Sequence, residues 1–161
     1  MPSEVADVVD RLRGLRLEPT TEAWRTTRDA LTGLPSPGSE ASEHTNHRFQ
    51  PGARPYPGHT GSHMDMPAKT LKAGDHGVPG GENMLALPDG KFRYFTVRES
   101  ARLQTFPDGY VFHGSWTETM RQLGNAVPVR LARIVASSVA ICLGQSEVAN
   151  AARALESKAT N

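Results

Sequence analysis

The sequence predicts an α+β chain in which helices frame an irregular, loop-rich middle with a few short strands. Three observations predict it. Thr96 and Glu99, and again Ser115 and Glu118, stand three apart ahead of apolar stripes, the spacing of a helix capping box. Met84 to Leu87 and Phe92 to Phe95 flank Pro88-Asp89-Gly90, a strong hairpin signal. The 161 residues include 15 Gly and 12 Pro, so loops are plentiful.

Residues 3–17 place Val5, Val8, Val9, Leu12 and Leu15 at helical spacing behind Ser3. Such an amphipathic helix docks on a partner or covers the chain's own core. Thr20 to Leu34 reads as a second helix, capped by Thr20 or Thr21, with Trp24, Thr27, Ala30 and Leu31 on one face. Residues 35–66 are rich in Pro, Gly, Ser and His and lack periodicity. Lys69 to Ala73 alternates enough for a short strand, and Gly74-Asp75-His76-Gly77 follows as a turn.

After Thr96, the residues Val97, Ala101 and Leu103 make an apolar stripe, and Pro107-Asp108-Gly109 is expected to stop the helix. The helix after Ser115 is expected to end with Gly124 at its C′ position, and Pro128 suits the first turn of the next helix. Asn125-Ala126-Val127 then forms a tight link whose backbone N–H groups are expected to be free for a ligand. Residues 128–143, with Leu131, Ile134, Val135, Val139, Ile141, Cys142 and Leu143, form a helix apolar on more than one face. Residues 145–161 are polar and expected to fray.

The net charge of +1 hides an asymmetry. Residues 1–43 hold 5 Lys/Arg against 8 Asp/Glu, whereas residues 44–133 hold 11 against 7 and all six histidines. The mildly basic middle is compatible with a phosphate backbone, though many soluble domains are this uneven. His44, His47, His59 and His63 have no accompanying cysteine and no helical pattern to fix them, so polar loop roles are preferred to a metal site. One cysteine, Cys142, cannot form an internal disulfide and reads as a small core residue. No apolar run is read as a membrane span and no signal peptide opens the sequence, so a cytoplasmic setting is expected.

The segment Thr96-Val97-Arg98-Glu99-Ser100-Ala101-Arg102-Leu103-Gln104-Thr105-Phe106-Pro107-Asp108, followed by Gln122-Leu123-Gly124-Asn125-Ala126-Val127-Pro128, resembles the last two motifs of the DNA (cytosine-5)-methyltransferases. Pro67 to Met84 resembles the segment that closes that family's target-recognition region. The resemblance implies a small irregular recognition region that completes an α/β Rossmann-like methyltransferase domain supplied mostly by another chain. It divides the sequence into an N-terminal helix (1–17), a bordering helix (18–34), a recognition region (35–95), the closing motifs with a return helix (96–144) and a polar tail (145–161).

Residue by residue, the resemblance points to Thr70, Lys72, Asp75, His76 and Gly77 as DNA contacts. It places Asn125 and Ala126 beside S-adenosylmethionine, and gives Thr96, Arg98, Glu99, Arg102, Gln104, Gln122 and Gly124 structural roles. Ion pairing and hydrogen bonding within the fold are preferred to phosphate contact for Arg98 and Arg102. The family's FxGxG cofactor loop, Pro-Cys nucleophile and Glu-Asn-Val acid have no counterpart. Glu82-Asn83-Met84 imitates the last but sits in a glycine-rich loop just before the closing motifs. No catalytic residue is therefore expected in this chain. The expected role is that of the target-recognition part of a split enzyme, with double-stranded DNA and a second polypeptide as partners. A truncated inactive remnant and a stand-alone DNA-binding module are the alternatives.

Overall fold

The computed structural model describes residues 23–38, 44–73 and 81–159. The expected N-terminal helix over 3–17 and the candidate caps Thr20 and Thr21 lie outside these residues. Helix α1 (Thr27–Leu31) starts later than expected. Its cap is Thr26, whose side chain accepts from the Asp29 N–H while the Asp29 carboxylate accepts from the Thr26 N–H. Trp24 therefore precedes the helix and stands 84% exposed, while Thr27 and Leu31 are buried. The first α1 amides donate to the carbonyls of Met66 and Met64, so the helix is docked by its N-terminus.

The sheet has three short strands in the order β1 (Ser62–His63), β2 (Met84–Ala86) and β3 (Phe92–Tyr94). The β2–β3 hairpin is antiparallel, with Leu85 opposite Arg93, as the Pro-Asp-Gly signal predicts. Strand β1 adds in parallel to the other edge of β2, a pairing for which the loop-rich sequence carries no signal. Gly61 permits it: at φ +71, a Cβ there would meet the Met84 carbonyl oxygen at 3.0 Å.

Lys69 to Ala73 is not a strand. The expected alternation is present, with Leu71 buried between exposed Thr70 and Lys72. The segment's backbone is bonded by side chains rather than by a strand: the Lys69 N–H donates to the Ser62 hydroxyl, and the Lys72 N–H and carbonyl bond the Asn83 carboxamide.

Helix α2 (Val97–Leu103) has the expected Thr96–Glu99 capping box. It ends before Pro107, at Leu103, where the chain turns through Thr105 at φ 58. Helix α3 (Trp116–Asn125) is capped by the Ser115 hydroxyl, which accepts from the Glu118 N–H. The reciprocal half of that expected box is missing, because the Glu118 carboxylate pairs with Arg121 instead. Gly124 lies inside the last turn of α3 rather than at C′, and Ala126 is the C-cap.

Two cores result. One joins α2 to α3 through Val97, Ala101, Phe112, Met120 and Leu123. The other joins α1, the sheet and the 70s segment through Leu31, Leu71, Leu85 and Phe95.

Helix α4 runs unbroken from Val129 to Ala159, through the tail that was expected to fray. Leu131, Ile134, Val135, Val139, Ile141 and Leu143 are each more than half exposed. Cys142 is exposed as well, not a core residue, because nothing among the described residues covers residues 131–146 of that helix. The α3–α4 stretch Trp116–Ser146 is also long and apolar enough, by length and composition alone, to cross a membrane, a test that the core helix of a soluble protein passes as well.

Candidate functional site

Three groups of candidate residues occupy adjoining parts of the fold. The first lies at the flanks of residues 74–80. Asp75, His76 and Gly77 are outside the described residues, whereas Thr70 and Lys72 are exposed. The fully buried Asn83 joins the two flanks: its carboxamide oxygen accepts from the Lys72 N–H at 3.3 Å and its Nδ2 donates to the Lys72 carbonyl at 3.2 Å. One side chain thus does what a strand partner would do. Its neighbour Glu82 lies in a 3₁₀ turn (Gly81–Asn83) and bonds Lys72 Nζ at 3.2 Å and His59 Nδ1 at 2.9 Å. The Glu-Asn-Met tripeptide is thereby used to hold the 70s segment.

Burial opposes ionisation of Glu82, but its own backbone amide, Lys72 and His59 together hold the carboxyl below its ordinary 4.5. A carboxyl depressed in the folded state adds stability above its unfolded value and loses it as the pH falls through the folded value. Glu82→Gln is therefore expected to cost about 1 kcal/mol at neutral pH and nothing further in acid. Urea unfolding of both proteins at a series of pH values checks this, and the two curves should draw together as the pH falls below the ordinary carboxyl range.

The second group braces α2. Arg98 is fully buried and donates to three carbonyls: Thr45 at 3.0 Å, Pro107 at 3.2 Å and Tyr110 at 2.7 Å. Arg102 makes two bonds to the Asp108 carboxylate, at 2.8 and 2.6 Å, and a third to the Thr32 carbonyl at 2.7 Å. Both arginines are therefore internal ties. Glu99 is bonded through both oxygens by Arg93 at 2.7 and 2.6 Å and closes the box on the Thr96 N–H.

Sequence reasoning makes His47 a polar loop residue and passes over Asn46, in a stretch with no periodicity; both instead tie the fold together. Buried His47 bridges the Thr96 hydroxyl and the Pro35 carbonyl, both at 2.8 Å. A carbonyl only accepts, so the His47 Nε2 carries the hydrogen on that side. Asn46 exchanges two side-chain bonds of 2.9 Å with the backbone of Phe112, pinning the 40s loop to the chain ahead of α3.

The third group is the α3–α4 link. Asn125 is exposed and Ala126 half-buried, and the Asn125 carboxamide makes no hydrogen bond among the described residues. The link amides are less free than expected. The Ala126 N–H donates to the Leu123 carbonyl, the Val129 N–H to the Gln104 carbonyl and the Arg130 N–H to the Thr105 hydroxyl. Gln104 also donates through its side chain to the Leu123 carbonyl at 2.9 Å. Gln122 is exposed on α3. Gly124 touches the first group, since a Cβ there would lie 2.4 Å from the Ala73 nitrogen and 2.6 Å from the Lys72 carbonyl carbon.

The family model for C-5 cytosine-specific DNA methylases matches residues 19–140. The chain belongs to that family. Among relatives, Type II methyltransferase M.AplI of Arthrospira platensis is 44% identical over 82 residues, covering 50% of this chain and 24% of that protein. Type II methyltransferase M.HindV of Haemophilus influenzae is 37% identical over 81 residues, covering 47% of this chain and 27% of that protein. DNA (cytosine-5)-methyltransferase 1 of Mus musculus is 39% identical over 80 residues, which are 5% of its length. The chain therefore spans a small part of the length of the curated relatives it matches.

The family implies S-adenosylmethionine as methyl donor. An exposed, uncommitted carboxamide at Asn125 beside a helix junction suits one edge of such a ligand, because it both donates and accepts. The described residues offer no complete pocket around it.

Proposed function

We propose that this chain is the target-recognition part of a DNA cytosine-5 methyltransferase and works in the cytoplasm with a second polypeptide. That polypeptide supplies the cofactor loop, the Pro-Cys nucleophile and the Glu-Asn-Val acid. The observation that carries this reading is α4. It follows the closing family motif directly and turns a row of exposed apolar side chains to solvent, while the chain's single cysteine stands exposed on the same helix. An apolar face of that extent is suited to packing on another surface, and the Rossmann-like sheet of the catalytic part is the surface we assign to it.

In the assembled enzyme, Thr70 and Lys72 meet the DNA backbone and Asp75, His76 and Gly77 read bases. The Asn83 clamp and the Glu82 pair hold the flanks of that loop. Asn125 and Ala126 complete one wall of the cofactor pocket, with the Asn125 carboxamide as its hydrogen-bonding group. Bound S-adenosylmethionine supplies the electrophilic methyl group. The target cytosine is flipped from the duplex, and the partner's cysteine adds at C6 to activate C5.

Transfer of labelled methyl groups to unmethylated DNA tests the proposal, first with this chain alone and then with a co-produced polypeptide bearing the missing motifs. Activity only in the mixture is expected. Inactivity of a folded, bound mixture, or activity of this chain alone, would overturn it. In the active mixture, Asn125→Ala is expected to weaken S-adenosylmethionine binding about tenfold while leaving subunit association unchanged. Isothermal titration with the cofactor checks the first part and gel filtration the second.

A further inference from the structure

The end of α2 reaches both sides of the α3–α4 link. Gln104, buried at 9% exposure, donates through Nε2 to the Leu123 carbonyl at 2.9 Å, on the α3 side. Its own carbonyl accepts from the Val129 N–H at 3.0 Å, on the α4 side. Thr105 Oγ1 then accepts from the Arg130 N–H at 2.8 Å. Two of the first amides of α4 are thereby satisfied by the two residues that follow α2 rather than by a residue next to them in sequence.

Thr105 sits at φ 58, a left-handed conformation that glycine adopts freely and a β-branched residue rarely does. The turn alone would favour glycine at this position. The hydroxyl is what threonine adds, and it is spent on the Arg130 amide.

We infer that Gln104 and Thr105 are positioning residues for the cofactor: together they bracket the Gly124–Pro128 link and set where Asn125 and Ala126 stand. The inference rests on the proposed cofactor role of that link. It separates two properties that usually move together. Thr105→Gly relieves the left-handed strain and removes the hydroxyl, so the thermal midpoint should change little while the link loosens. Thr105→Ser keeps the hydroxyl and should leave the link as it is.

Hydrogen exchange of the full chain, read amide by amide, tests the bracket directly. Thr105→Gly is expected to speed exchange at Val129 and Arg130 about tenfold, with the α2 amides unchanged and the wild-type rate restored in Thr105→Ser. Unchanged exchange at those two amides, or a loss spread evenly over α2 and α3, would overturn the bracket.

In the assembled enzyme, Thr105→Gly should raise the KM for S-adenosylmethionine about fivefold with kcat within about twofold, and Thr105→Ser should restore it. Asn125→Ala measured in parallel tells two failures apart. A normal KM in both variants would remove the cofactor role of the link. A raised KM in Asn125→Ala with a normal one in Thr105→Gly would remove the positioning role and leave the link beside the cofactor.

Discussion

Arg98→Ala is expected to unfold most of the chain at ambient temperature. The Arg98 guanidinium is fully buried, and its three acceptors are the carbonyls of Thr45, Pro107 and Tyr110. Burial lowers the affinity of this group for its proton, with Asp108 opposing that effect, but an arginine stays charged at any relevant pH. Truncation deletes the donors and leaves the Thr45 and Tyr110 carbonyls without this partner, at about 1–3 kcal/mol for each that water cannot reach, while the Pro107 carbonyl keeps the Tyr110 N–H. It also leaves a void where the side chain lay. Together these amount to about 5 kcal/mol, comparable to the whole stability of a small domain. Arg98→Lys keeps the charge but cannot span three carbonyls from a single ammonium, and about half of that loss is expected. Circular dichroism against temperature checks both variants. A midpoint within a few degrees of wild type for Arg98→Ala would show that the brace is dispensable.

The second large effect is expected at Gly124. A methyl group there would lie 2.4 Å from the Ala73 nitrogen, 2.6 Å from the Lys72 carbonyl carbon and 2.9 Å from the Ala73 Cα. All three atoms belong to the backbone, so no rotamer change relieves the clash. Gly124→Ala must push α3 away from the 70s segment, and a cost of about 3 kcal/mol is expected despite the better helix propensity of alanine. The displaced atoms belong to Lys72 and Ala73, and Asn83 clamps the Lys72 backbone, so on the proposed reading binding of DNA should weaken as well. Gly109 provides the contrast. Nothing lies within 4 Å of a Cβ at that position, and Gly109→Ala should change stability by less than about 0.5 kcal/mol. Urea unfolding of the two variants side by side decides the matter, and similar midpoints would show that the close approach at Gly124 is not limiting.

Gly124 also shows how far sequence reasoning reaches. Position and residue type suggested a helix terminator, the common use of glycine near a helix end. Its use here is close approach to a backbone some fifty positions earlier in the chain, which no local pattern signals. Thr105 is similar. As part of a motif it was grouped with its neighbours, and its left-handed backbone and its bond to Arg130 depend on where α4 begins. Lys69 to Ala73 had the alternation of a strand, but whether alternation becomes a ladder depends on a free sheet edge. Here the segment packs where the Ser62 and Asn83 side chains, not a strand, meet its backbone.

The sequence by itself determined the features made by residues a few positions apart. The Thr96–Glu99 box, the Ser115 cap and the β2–β3 hairpin are closed by groups near one another in the chain, and the paired motifs identify the family. Tertiary structure alone decided how those pieces are joined. The Asn46 clamp on Phe112 crosses 66 positions, the Arg102 bond to Thr32 crosses 70, and His47 reaches Thr96 across 49. The physical reason is that a buried polar group must find a partner wherever the packed chain presents one, and helical or strand periodicity carries no record of that choice. The same reason governs α4. Its apolar pattern was legible from residues 128–143, but only the packed chain leaves Leu131, Ile141 and Cys142 facing solvent among the described residues.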